Sequence, residues 1–197
     1  MRSAYEAQPG LGLEAVVSLL DEEHDAKVRA LWAELEREFG LQGIYGAPYP
    51  HISYHGAREY PDAQVKSLLE KLAPKVSPFC IRTAGLGIFT GERPVLYVPV
   101  NRNRQLATYF EMLFPSLTAL ARNENRHYRA ERWMPHITLA YGDLTHDVLP
   151  DVIRYLSERT YSWEIRIDNS ALVYINEQEQ GLKFRVPFAG QAETETV

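Results

Sequence analysis

Two short stretches carry residue types that could do chemistry together: Pro50-His51-Ile52-Ser53, and Pro135-His136-Ile137-Thr138 85 positions further on. Each sets a histidine two residues ahead of a hydroxyl, within a run rich in the β-branched and aromatic residues that favour strands. Side chains alternate between the faces of a strand, so His51 and Ser53 are expected on one face with Ile52 and Tyr54 opposite. His136 and Thr138 likewise share a face, with Ile137, Leu139 and Tyr141 on the other. Two imidazoles and two hydroxyls converging on one cleft would make a phosphate site with its own acid and base. Six histidines in 197 residues make a chance H-x-[ST] common, so either stretch alone reads first as an ordinary strand histidine. The duplicated context turns the reading toward function.

That context comes from the elements around the motifs. Leu13 to Leu20 is an apolar run that reads as a buried strand, and Asp21 reads as the N-cap of a helix carrying Val28, Leu31, Trp32, Leu35 and Phe39 at helical spacing, with Gly40 as its stop. The first motif strand is expected at about His51 to His55, ended by Gly56. Val65, Leu68, Leu69 and Leu72 outline a second helix that Pro74 and Pro78 terminate. Phe79 to Phe89 reads as a strand, with Gly85 and Gly87 suggesting a bulge or a close backbone approach. Val95 to Val100 is the next strand, and Leu106, Tyr109, Phe110, Leu113, Leu117 and Leu120 a third helix. The polar stretch from Arg122 to Arg132 leads to the second motif strand, Met134 to Tyr141, and Asp147 to Ser157 reads as a short helix. Tyr161 to Asp168 alternates as a half-exposed strand, Ala171 to Asn176 and Leu182 to Phe188 form a closing hairpin, and 191–197 is a polar, frayed tail. Strand, helix, motif strand, helix, strand thus occurs twice, over Leu13 to Phe89 and Val95 to Ile167. The chain reads as one α+β domain, 1–197, of two lobes at approximately 13–90 and 94–188, with strand exchange between them allowed. A duplicated unit would relate the two histidines by a pseudo-two-fold axis.

Composition narrows the partners. A net charge of −5 and a pI near 5.7 disfavour duplex DNA or long RNA, whose non-specific binding rests on many Lys and Arg contacts to phosphate. A small nucleotide or an RNA end fits better. The one cysteine, Cys80, excludes an internal disulfide and any Cys-pair zinc site. No run approaches the roughly 20 apolar residues that span a bilayer, so a cytoplasmic monomer without membrane contact is expected.

The pair His51-Ile52-Ser53 and His136-Ile137-Thr138-Leu139, each preceded by Pro and placed alike in a duplicated chain, resembles the two-histidine (2H) phosphoesterase superfamily, in particular its bacterial 2′-5′ RNA ligase-like branch. The resemblance implies a bilobal fold with two antiparallel sheets flanking a central cleft and helices on the outside. It also implies metal-independent chemistry, with no cofactor, on 2′,3′-cyclic phosphates or 2′-5′ linkages: His51 and His136 catalytic, Ser53 and Thr138 on the phosphate. Two departures stand out. Ser53 occupies a position where many members have Thr, and Tyr141 one where many members of this branch have Arg.

Further candidates surround the motifs. Strand parity puts His55 on the face of His51 and Ser53, which raises a metal trio of His51, His55 and His136, although no carboxylate is interleaved to orient such ligands. Arg126, Arg129 and Arg132 are candidates for a cationic rim, and Tyr141 is a cleft residue only if alternation breaks locally. His24 and His146 read as surface residues. Three functions stay open: a hydrolase of 2′,3′-cyclic phosphate or 2′-5′ termini, with ligation as its reverse; a nucleotide- or RNA-end-binding module with little turnover; and a two-histidine enzyme acting on a non-RNA cyclic phosphate. A pH optimum near the ordinary histidine range of about 6.5 is expected of an acid–base pair.

Overall fold

The structure, a computed structural model, describes residues 12–47, 49–125, 128–176 and 179–191. Strand β1 (Leu13–Leu19) leads into helix α1 (Glu22–Phe39), whose first turn is capped by the Asp21 carboxylate accepting from the His24 amide at 2.9 Å. Glu22, Glu23 and Asp25 complement the positive end of the helix, and Gly40 closes it in the left-handed conformation (φ 70°) that a side chain would resist. Next come β2 (His51–Glu59), α2 (Asp62–Leu72), β3 (Phe79–Arg82) and β4 (Gly87–Phe89). The second half runs β5 (Val95–Pro99), α3 (Arg104–Leu120), β6 (Arg122–Glu124), β7 (His136–Ala140), α4 (Leu149–Ser157) and β8 (Glu164–Ile167). The hairpin of β9 (Asn169–Ile175) and β10 (Gln180–Pro187) ends it. The expected repeat of strand, helix, motif strand, helix, strand is therefore present in both halves, with β4 and β6 added.

The strands form two antiparallel groups that flank the cleft. One sheet has the order β10-β9-β1-β2-β6, the other β4-β5-β7. The β3–β8 pair joins the second through a bridge between Thr83 and Val100. The strand expected over Phe79 to Phe89 breaks at Gly85 (φ 67°), its first part pairing with β8 and its last with β5. The sheets thus exchange strands relative to the lobes at 13–90 and 94–188. The β3 and β4 strands cross to the second sheet, and β9 returns from the chain end to pair with β1, with β10 added outside it. Helices cross over too, α1 lying against β7 and α3 against β2. A main core containing Val16, Trp32, Ile52, Tyr54, Phe110, Ile137 and Leu139 binds both halves together.

Two local expectations are corrected. Gly56 does not end the first motif strand, which continues to Glu59 and pairs with β6 at Ala57 and Glu59. Its glycine is required by packing, since a Cβ there would come within 2.7 Å of the Tyr128 ring. His24 is not a surface residue: it is 5% exposed, its Nδ1 bonded to Asp21 at 2.6 Å and its ring beside Trp163. His146 is exposed, as expected, and bonds the Gly91 carbonyl. Of the expected tail, Gln191 accepts from the Ser77 hydroxyl, and 192–197 lie outside the described residues.

Candidate active site

Strand register places the motif side chains. In β2, His51 pairs with Leu19 and Ser53 with Val17, so both stand on the face of a small apolar patch (Ala15, Val17, Leu19, Ala171, Val173) separate from the main core. In β7, His136 pairs with Pro99 and Thr138 with Tyr97, while Ile137 and Leu139 are wholly buried on the opposite, core face. All four motif side chains are half-buried. The walls differ: aliphatic beside His51, aromatic beside His136, where Phe89 stacks on Tyr97 at 4.2 Å and both rings lie about 5 Å from the imidazole (4.9 and 5.1 Å).

The backbone around the two histidines is matched almost atom for atom. Leu20 donates to the Pro50 carbonyl and Val100 to the Pro135 carbonyl. Antiparallel alternation then turns the carbonyls of residues 49, 51 and 53, and of 134, 136 and 138, away from the neighbouring strand. These outward carbonyls still need donors. The Tyr49 carbonyl accepts from His51 Nδ1 at 2.6 Å, and the Met134 carbonyl accepts from His136 Nδ1 at 2.7 Å. The Ser53 carbonyl accepts from Trp133 Nε1 at 2.9 Å, and the Thr138 carbonyl from Trp32 Nε1 at 3.1 Å. With Nδ1–H committed to a carbonyl, the neutral tautomer of each ring carries its basic lone pair on Nε2.

Burial is the larger influence on both rings and disfavours the charged form. It lowers the His51 pKa below the ordinary value, against the Tyr49 bond that favours the cation. It pushes His136 down to about 4, the Met134 bond opposing and a charge on His51 adding to the fall. The strands that carry the two rings, β2 and β7, lie against each other. Burial thus favours the neutral form of both rings in the free protein.

His55 is corrected. The β1–β2 register shifts between Val16 and Val17, with Val17 opposite Ser53 and Val16 opposite His55. Tyr54 is the extra residue, and it inverts the parity beyond it. His55 therefore turns into the core: it is 0% exposed, its Nδ1 faces the Tyr60 hydroxyl, and its Nε2 lies 3.3 Å from both Glu124 and Thr118. The trio His51, His55 and His136 is not brought together, and no three His, Cys, Asp or Glu side chains among the described residues are grouped to hold a metal ion. Tyr141 packs half-buried against the main core, the place its strand parity gives it. Arg132 is exposed in the turn before Trp133, Arg129 pairs with Glu124 at 3.6 Å, and Arg126 lies outside the described residues. Neither Arg129 nor Arg132 is bonded to a motif side chain among the described residues.

Sequence reasoning did not single out Trp32, Trp133, Phe89 or Tyr97 as site residues. The signal nearest to the matched backbone was the proline before each histidine. It holds the preceding residue extended, which suits the carbonyl that each ring bonds two residues back.

Comparison with known proteins shows the family. The family model of the 2′-5′ RNA ligase superfamily matches residues 21–179. A candidate phosphoesterase of Bacillus anthracis (strain CDC 684) is 30% identical over 150 residues, covering 68% of this chain and 78% of that protein. One of Bacillus cereus (strain B4264) is 28% identical over 144 residues, with the same coverage of 68% and 78%. Among solved structures, the TT0787 protein of Thermus thermophilus superposes with a TM-score of 0.65 at 16% identity, over 91% of this chain and all of that one. E. coli LigT, solved in complex with 3′-AMP, gives 0.54 at 16% identity over 92% and 99%. The chain belongs to the 2′-5′ RNA ligase superfamily of two-histidine phosphoesterases.

Proposed function

We propose that this phosphoesterase hydrolyses 2′,3′-cyclic phosphates of nucleotides or RNA ends, with His51 and His136 as its acid–base pair. The observation that carries the reading is the matched tether of the two rings, each held through Nδ1 by the carbonyl two residues before it with a hydroxyl two residues after. One ring, neutral, takes a proton through Nε2 from the water attacking phosphorus. The other, protonated, gives its proton to the departing ribose oxygen. A P–O bond to water forms as a P–O bond to ribose breaks, leaving a phosphomonoester. Ser53 and Thr138 donate hydrogen bonds to the non-bridging oxygens, where charge gathers in the transition state. The phosphate charge supplies what the free site lacks: it raises both histidine pKa values on binding, so that one ring holds a proton. The Phe89–Tyr97 stack beside His136 offers a flat face for a base, favouring a nucleotide over a smaller cyclic phosphate. LigT was solved with 3′-AMP, which is consistent with such a ligand here.

A panel of 2′,3′-cyclic nucleotides, 2′-5′-linked dinucleotides and a non-nucleotide cyclic phosphate, each incubated with purified protein and EDTA, tests the reading. Turnover of the cyclic nucleotides is expected. Binding without turnover across the panel would favour the end-binding module, which the core placement of Tyr141, in place of an arginine, already recommends as the second reading.

A further inference from the structure

We infer that Trp32 and Trp133 are positioning residues that act crosswise, each indole setting the reach of the hydroxyl borne by the motif strand of the other half. Trp32 stands on α1 in the first half and donates to the carbonyl of Thr138, 106 residues away. Trp133 stands in the second half, just before β7, and donates to the carbonyl of Ser53, 80 residues away. Neither bond belongs to a helix or sheet ladder. Both fall on the residue that carries the hydroxyl, and both occupy the strand edge facing away from the neighbouring strand.

Those edges pose a structural problem. β7 is an outer strand of its sheet, and β2 meets β6 only at Ala57 and Glu59, beyond the motif. A further strand laid along either edge would satisfy the carbonyls in one row. An indole donates once, laterally, and satisfies a single carbonyl. The bond fixes the backbone at residue 53 or 138 and hence the root of its hydroxyl.

The indoles are themselves held. Trp32 is 2% and Trp133 6% exposed. Trp133 stacks on Phe110 at 3.9 Å and carries the Arg102 guanidinium 5.2 Å above its ring. Trp32 meets Tyr45 edge-on and has Arg29 at 5.9 Å. Because α1 lies against β7 and α3 against β2, each clamp ties the helix packing of one half to the motif of the other. Movement of one lobe would displace the hydroxyl in the other.

The kinetic consequence rests on the hydrolase reading, and the test has an arm that does not. Replacing Trp32 by 3-benzothienylalanine swaps the indole N–H for sulfur at nearly constant shape, which guards against loss of folding. Trp32→Phe and Trp133→Phe are the encoded counterparts. In the folded protein, the backbone carbonyl ¹³C resonance of Thr138 should move on replacing Trp32 and that of Ser53 on replacing Trp133, and both wild-type indole N–H groups should exchange slowly. Carbonyl shifts that do not follow this crossed pattern, or fast indole exchange, would overturn the inference whether or not the protein turns anything over.

Where cyclic phosphate is hydrolysed, each replacement should lower kcat roughly 2- to 13-fold, the size of one hydrogen bond, with little change in KM. Combined with Thr138→Ala, the Trp32 replacement should add almost nothing. Combined with Ser53→Ala, it should multiply. A general packing defect would multiply with both, and that result would also defeat the inference. Crossed carbonyl shifts in a protein without turnover would keep the clamp and remove the hydrolase.

Discussion

Protonation of His136 is the property on which the proposed chemistry most depends and the one the structure makes most specific. Burial beside Phe89 and Tyr97 pushes its pKa from 6.5 down to about 4, with a charge on His51 contributing in the same direction. At 1.36 kcal/mol per pKa unit, that displacement is about 3 kcal/mol of preference for the neutral ring. The unfolded chain binds the proton more readily than the folded one. Stability should therefore rise with pH through the window from about 4 to 6.5 and be lost as pH falls through it. Imidazole ¹⁵N resonances followed from pH 3.5 to 8 would give the midpoint directly. His51→Gln removes the like charge and should raise the His136 midpoint, yet leave it below 6.5 because burial is the larger cause. Phe89→Ala, which rehydrates one side of the ring, should raise it as well. A His136 midpoint at or above 6.5 in the free wild-type protein, or one indifferent to both substitutions, would refute the reasoning.

Further expectations follow from the same geometry. Because burial lowers both histidines in the free protein, the maximum of kcat/KM should lie on the acid side of 6.5, and the kcat profile, which reports the phosphate-bound pair, at higher pH; coincident maxima in a pH–rate series would count against this. Ser53→Ala and Thr138→Ala should lower the rate while preserving both limbs of the profile, and a lost limb would show that the hydroxyl governs protonation. His55→Ala should cost about 1–3 kcal/mol in urea unfolding, since it strips a partner from the buried Tyr60 hydroxyl. It should leave kcat intact, and loss of turnover in a stably folded His55→Ala protein would return that residue to the site. Gly56→Ala forces a Cβ to 2.7 Å from the Tyr128 ring and should lower the thermal midpoint, which scanning calorimetry would detect.

What could be read from the chain was whatever local pattern decides. Helical spacing and caps located α1, and the repeated H-x-[ST] runs located both motif strands and the faces of His51, Ser53, His136 and Thr138. The optimum near 6.5 expected from residue type takes no account of burial, a tertiary property that lowers both rings in the free protein. His55 was misplaced because strand parity survives only until a bulge, and the extra residue Tyr54 has no signature in a run already rich in aromatics. Gly56 resembled a strand end, but the glycine answers to a ring from 72 residues later in the chain. The three polar residues of β6 have no apolar alternation to betray them, and the return of β9 to β1 joins segments more than 150 residues apart. Trp32 was legible as a core residue of its helix. Its bond to Thr138 was not, because nothing local encodes the partner of an indole N–H.

The most direct test of the two-histidine account is single-turnover hydrolysis of a 2′,3′-cyclic nucleotide by wild type, His51→Ala, His136→Ala and the double variant, with fold checked by circular dichroism. Each single substitution should cost about 10²- to 10⁴-fold, the usual size of a general acid or base. The double variant should lose little more than the slower single, since two groups acting in one transition state are not additive. Near-wild-type turnover in either folded single variant, or a double variant slower by the full product of the two losses, would contradict the account.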